Sequence, residues 1–213
     1  MSQGKRRTGA ITLLALLVLV FGRPAKAEFL SPTVLASIDD FNFDGIGDAF
    51  HEIPGLLRHT TLAETRAIAE FELFSMRVED LTLARLQLEL TVNNPQGLQE
   101  RSYDVFLYPG NGQADLFDAI LAGPLIERIT FTVPASPFTF LPIAFDLDIL
   151  DPARSLLGGT AEVIGVRLQP IGANHFPTIL TSLRLIAVPE PTGAVLLGLG
   201  LGLILIAGAR RRS

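Results

Sequence analysis

Four side chains in one short stretch carry the oxygen atoms that a hard cation requires. In "DDFNFDGIGDAFHE", Asp40, Asn42, Asp44 and Asp48 stand at loop positions 1, 3, 5 and 9, with Gly45 at 6 and Ile46 at 7. Short oxygen side chains alternating along a loop wrap calcium, a backbone carbonyl at position 7 adds a ligand, and glycine at 6 supplies the sharp turn. Two features depart from that pattern. Position 12, where a bidentate Glu is usual, is His51, with Glu52 one residue late, and Phe41 and Phe43 fill positions that are commonly polar. The same residues are good turn formers. The stretch therefore reads either as a calcium loop or as an acidic turn between two strands, with Gly45 and Gly47 at positive φ. As a calcium loop it would brace the fold and do no catalysis.

Other candidate chemistry is sparse. Glu70 with Glu72 and Asp146 with Asp148 are carboxylates at i and i+2, about 7 Å apart along a strand and near the separation that glycoside hydrolysis uses. Alternation alone explains both pairs as the solvated face of a half-buried strand, so no catalytic residue is assigned. His51, His59 and His175 are too few and too scattered for a metal triad and read as solvated or locally bonded histidines. The chain has no cysteine, which excludes disulfides, thiolate metal sites and a Cys nucleophile, and it has no Gly-x-Ser-x-Gly elbow. It also lacks tryptophan. Only Tyr103 and Tyr108 could offer a sugar-stacking ring, since the Phe-rich "PASPFTFLPIAF" reads as a core edge.

The elements that must position these residues are strands. In "AIAEFELF", Ala67, Ala69, Phe71 and Leu73 share one face and Glu70 and Glu72 the other; in "LARLQLELTV", Leu86, Leu88, Leu90 and Val92 oppose Arg85, Gln87, Glu89 and Thr91. The pattern returns at 103–108, 129–133, 143–149, 164–168 and 179–187, separated by "NNPQG", "PGNG", "PASP", "GG" and "PIGAN". Short helical turns fit "ADLFDAILA" and "DPARSLLGG". The expected fold is all-β, an antiparallel β-sandwich or jelly roll, and about 160 residues suit one such domain. The succession "RAIAEFEL", "LARLQLEL", "YDVFLY", "IAFDLDIL", "IGVRL" resembles the extracellular jelly-roll modules called DNRLRE domains. That resemblance implies an adhesive or fibre-associated surface domain related to carbohydrate-binding modules. The Asp-rich stretch is likewise similar to the calcium loops of EF-hand-like and thrombospondin repeats.

The two ends of the chain read as addresses. Lys5, Arg6 and Arg7, the apolar run 10–21 and Ala25-Lys26-Ala27 form a Sec-type signal peptide over 1–27, cleaved between Ala27 and Glu28. The run is about 12 residues, short of the roughly 20 that a bilayer span needs, which favours cleavage over the alternative of an uncleaved N-terminal anchor. Residues 192–209 are uncharged and as a helix would span about 27 Å. Arg210, Arg211 and Arg212 then supply a positive-inside flank. Pro189 and Pro191 hold the preceding hinge extended, which suits either the substrate strand of a processing peptidase or a plain tail anchor with a proline stop.

Pro189-Glu190-Pro191, the Gly/Leu-rich span and the terminal arginines resemble the PEP-CTERM sorting signal of Gram-negative bacteria. The resemblance implies a membrane peptidase, the exosortase, as partner, an inner-membrane intermediate and delivery to the cell surface. The expected organisation is a signal peptide (1–27), a sandwich domain (28–188) and a sorting tail (189–213). Between Glu28 and Glu190 lie all 22 acidic residues, nine arginines and no lysine, so this part carries 9 − 22 = −13. Such a charge disfavours nucleic acid as a partner. The reading is an exported structural or binding protein, not an enzyme, of the cell surface or an exopolysaccharide-rich matrix. Two alternatives stand beside it: a carbohydrate-binding module for exopolysaccharide, and a glycan-active hydrolase.

Overall fold

A computed structural model describes residues 26–73, 76, 81–93, 99–133, 140–157, 162–172 and 175–190. The expected signal peptide up to residue 25, Pro191, the expected span 192–209 and Arg210–Arg212 lie outside the described residues. Among the described residues no helix is long and apolar enough to cross a membrane. Residues Glu28–Val188 make up one compact unit.

The described residues form eleven strands: β1 (Glu28–Leu30), β2 (Val34–Asp40), β3 (Ala49–Phe50), β4 (Leu56–His59), β5 (Glu64–Glu72), β6 (Leu81–Asn93), β7 (Gln99–Pro109), β8 (Leu125–Val133), β9 (Phe140–Asp148), β10 (Val163–Ile171) and β11 (His175–Pro189). One helix, α1 (Leu150–Leu157), and one 3₁₀ turn (Leu116–Ala119) interrupt them. The strand order is β8-β7-β10-β5-β4-β11-β6-β9, with β2 and β3 beyond β5 and β1 against β11. Short β4 is the corner, because it pairs with both β5 and β11 and so joins two leaves. Inward side chains of both leaves, among them Phe71, Leu107, Val166, Leu88, Leu147 and Leu185, make one core. This is an antiparallel all-β sandwich, as the alternation predicts.

Strand β6 follows its sequence pattern: Leu86, Leu88, Leu90 and Val92 are buried and the residues between them are partly exposed. Strand β5 departs from it. Every residue from Glu64 to Phe71 is buried, so β5 is not half-buried and Glu70 is not on a solvated face. Segment 110–124 and the β2–β3 loop fold over the outer face of β5. A second small cluster of Ile38, Ile68 and Ala119, flanked by Ala36, Ala114 and Leu116, seals that cover.

Candidate functional site

The Asp-rich stretch is a hairpin loop. Strand β2 ends in Asp40, and β3 returns in register, pairing Ile38 with Phe50 and Asp39 with Ala49. Its side chains bind its own backbone, as short Asx side chains do in turns. Asp40 Oδ2 accepts from the Gly45 amide at 2.8 Å, Asn42 Oδ1 from Asp44 at 3.1 Å, Asp44 Oδ1 from Ile46 at 2.8 Å and Asp48 Oδ2 from Phe41 at 2.7 Å. The Asn42 amide also donates to Asp44 Oδ2 at 3.2 Å. Gly45 takes φ 90° and Phe43 φ 59°. For Phe43 the left-handed conformation costs about 1–2 kcal/mol, and its ring packs on His59 at 5.5 Å between centroids.

The four predicted ligands thus share one loop, with Asp40 buried and Asn42, Asp44 and Asp48 exposed. Neither residue near position 12 joins them. His51 Nδ1 accepts from the Ile53 amide, and Glu52 is exposed. Among the described residues no three His, Cys, Asp or Glu side chains are grouped to hold a metal.

Arg66 of β5 is the loop's foundation. Its Nε donates to Glu64 Oε1 at 2.5 Å, Nη2 to Asp40 Oδ2 at 3.3 Å, and Nη1 to the carbonyls of Gly45 at 2.6 Å and Ala119 at 2.9 Å. Glu64 Oε2 also lies 3.3 Å from His59 Nδ1. Arg167, on the adjacent β10, sends Nη1 to the carbonyls of Asp118, Ala119 and Leu121 and rests over the Phe106 ring at 4.7 Å. Burial, and then the Arg66 charge, hold the Arg167 guanidinium below its ordinary value. Two buried arginines from neighbouring strands thus meet at the Ala119 carbonyl and clamp the cover to the sheet.

Beside them lies a buried acidic row. Glu70, Gly165 and Tyr108 are in register across β5, β10 and β7. Gly165 has no side chain, so the Tyr108 ring crosses it towards Glu70. Glu70 Oε2 accepts from the Gly112 amide at 2.6 Å and Oε1 from Asn111 at 3.4 Å, yet burial outweighs these bonds and raises its carboxyl above the ordinary value. Asp118 accepts from the Asp115 amide at 2.8 Å and Asp115 from Asp118 at 3.2 Å, a reciprocal cap on the 3₁₀ turn. Burial pushes Asp118 up to about 6, reinforced by Asp115 and Glu70. Tyr108, buried beside Asp118 and Glu70, titrates well above its ordinary range. Raised carboxyls are a mark of catalytic sites, but Glu70 and Asp118 are each 0% exposed. No substrate reaches them as they stand, and their role is to hold the cover.

The remaining candidates separate. Asp146 and Asp148 are exposed on β9, Asp146 paired with Arg85 at 3.0 Å and Asp148 accepting from the Leu150 amide at 3.1 Å. They lie on an edge strand and not in a cleft. Tyr103 and Tyr108 are both 0% exposed, which corrects the expectation that either could stack on a sugar. Tyr103 donates to Thr178 Oγ1 at 2.6 Å and stacks on Phe131 in the core. A shallow depression of about 260 Å³ between Ser31–Leu35 and Leu180–Arg184 has no aromatic ring and no carboxylate in its lining. Of the residues expected to form a sorting motif, Pro189 closes β11 and Glu190 is exposed.

No family model matches the chain, and no curated protein matches it. Among solved structures, it is similar to the K3 cleaved adhesin domain of Lys-gingipain from Porphyromonas gingivalis W83. The TM-score is 0.39 at 9% sequence identity, over 78% of this chain and 99% of that one.

Proposed function

We propose that the chain is an exported structural or binding protein of the bacterial cell surface or extracellular matrix, delivered through its PEP-CTERM-like tail. The observation that carries this reading is the order of three elements in residues 189–213: Pro189-Glu190-Pro191, an uncharged stretch of membrane-spanning length, and Arg210-Arg211-Arg212. An exosortase-type peptidase reads the extended Pro-Glu-Pro hinge, and the arginines keep the far end on the cytoplasmic side. The body is then the cargo, a jelly-roll module whose charge of −13 between Glu28 and Glu190 suits cations, basic surfaces or neutral glycans.

Fractionation of cells expressing Glu190→Ala, or the chain lacking residues 210–212, tests this. Both variants are expected to accumulate as precursor in the inner membrane. Surface delivery at the wild-type level by both overturns it.

A further inference from the structure

Asp40 carries a buried oxygen with nothing to bind. Its side chain is 2% exposed. Oδ2 takes the Gly45 amide and the Arg66 guanidinium, while Oδ1 has no hydrogen-bond partner. A buried carboxylate oxygen left without a donor or cation is costly. Here that oxygen belongs to the first of four residues spaced 1, 3, 5 and 9 in one hairpin loop.

We propose that the β2–β3 loop binds one divalent, oxygen-seeking cation of the calcium class, with Asp40 Oδ1 as its buried ligand and Asn42, Asp44, Asp48 and the Ile46 carbonyl as the exposed ones. The guanidinium and the ion hold the same carboxylate from opposite oxygens. Asp44 Oδ2, which accepts from the Asn42 amide at 3.2 Å, turns from it to the ion. The loop's three carboxylates outnumber the one guanidinium beside them, which Asp40 shares with Glu64, so a dication offsets negative charge that Arg66 leaves unbalanced. Without the bidentate Glu of position 12, binding belongs to the weak class of extracellular modules, with Kd about 10⁻⁴–10⁻³ M. Calcium is preferred to magnesium, because calcium accepts the irregular oxygen set of a hairpin loop, whereas magnesium demands a near-ideal octahedron. The inference goes beyond the sorting proposal and stands or falls independently of the tail.

The test uses the full chain in a non-ionic detergent, stripped with chelator and then given calcium to about 10 mM, ten times the weak end of that range. Two readouts are followed: chymotryptic cleavage after the exposed Phe41 and Phe43, and the thermal midpoint. Calcium is expected to protect both bonds and raise the midpoint by several degrees, with magnesium clearly weaker. Asp44→Asn and Asp48→Asn, both at exposed positions, are expected to fold as the wild type does in chelator and to lose the calcium response. Identical curves and cleavage with calcium and chelator overturn the site. So does a response that magnesium matches or that survives in the Asp44→Asn/Asp48→Asn double variant, since either is screening of the acidic surface.

Discussion

The ring of Tyr108 lies across Gly165, where an added Cβ would run into its Cδ2, Cε2 and Cζ atoms. Gly165→Ala is therefore expected to cost about 1–3 kcal/mol, the usual penalty for overpacking a buried site. In a Tyr108→Leu background the same change should cost much less. Urea unfolding of the four members of this cycle measures the coupling. An unchanged cost in the Leu background would place the clash elsewhere.

Asp118 makes stability depend on pH in an uncommon direction. Its folded value of about 6 lies above the ordinary 3.8, so the folded state binds the proton more tightly. That contribution is fully present below pH 3.8 and is lost as pH rises to about 6, a difference of roughly 3 kcal/mol. Glu70, also raised, acts in the same sense. Asp118→Asn keeps an acceptor for the Asp115 amide and removes the charge. Thermal unfolding should show the variant several degrees more stable than wild type at pH 8 and no more stable at pH 3.5.

Arg66 neutralises two buried carboxylates and ties two loops together. Arg66→Met leaves Glu64 and Asp40 without that cation, and breaking a buried pair on one side costs about 3–5 kcal/mol. Arg66→Lys should recover only part of this, since an ammonium cannot span Glu64, Asp40 and the carbonyls of Gly45 and Ala119 together. Hydrogen exchange separates this from a general loss of stability. The amides of Gly45 and Leu121, which donate to Asp40 and Phe117, should lose protection before those of β6.

The two strands with the cleanest alternation show what the sequence could and could not tell. In β6 the residues between the leucines stay partly exposed, so period two gives both the strand and its environment. In β5 the same period assigns the faces correctly and the environment wrongly. Alternation states which side chains share a face, not whether a later segment covers it. The cover comes partly from the β2–β3 loop upstream and partly from residues 110–124, about 40 positions downstream, and it depends on Gly165 and Gly110 leaving room for Tyr108 and Glu70. One local signal was available. The stretch "ADLFDAILA" reads as a short helical turn, and a 3₁₀ turn capped by Asp115 and Asp118, three apart, stands there. Spacing alone placed Asp40, Asn42, Asp44 and Asp48 in one loop. It gave no hint of Arg66, because a guanidinium reaching through from the next strand leaves no local pattern.

Strand β11 carries a mechanical consequence. It runs fifteen residues to Pro189 and has β6 on one side and β4 and β1 on the other. A pull on the chain at Pro189, resisted by the body as a whole, acts along the strand and at right angles to its hydrogen bonds. Those bonds then share the load in shear instead of opening one at a time. Glu28 sits opposite Ala187 in β1, so the first residue of the sandwich lies beside the point where that force enters. A load applied at Pro189 would thus fall on an interior strand, paired along both of its edges.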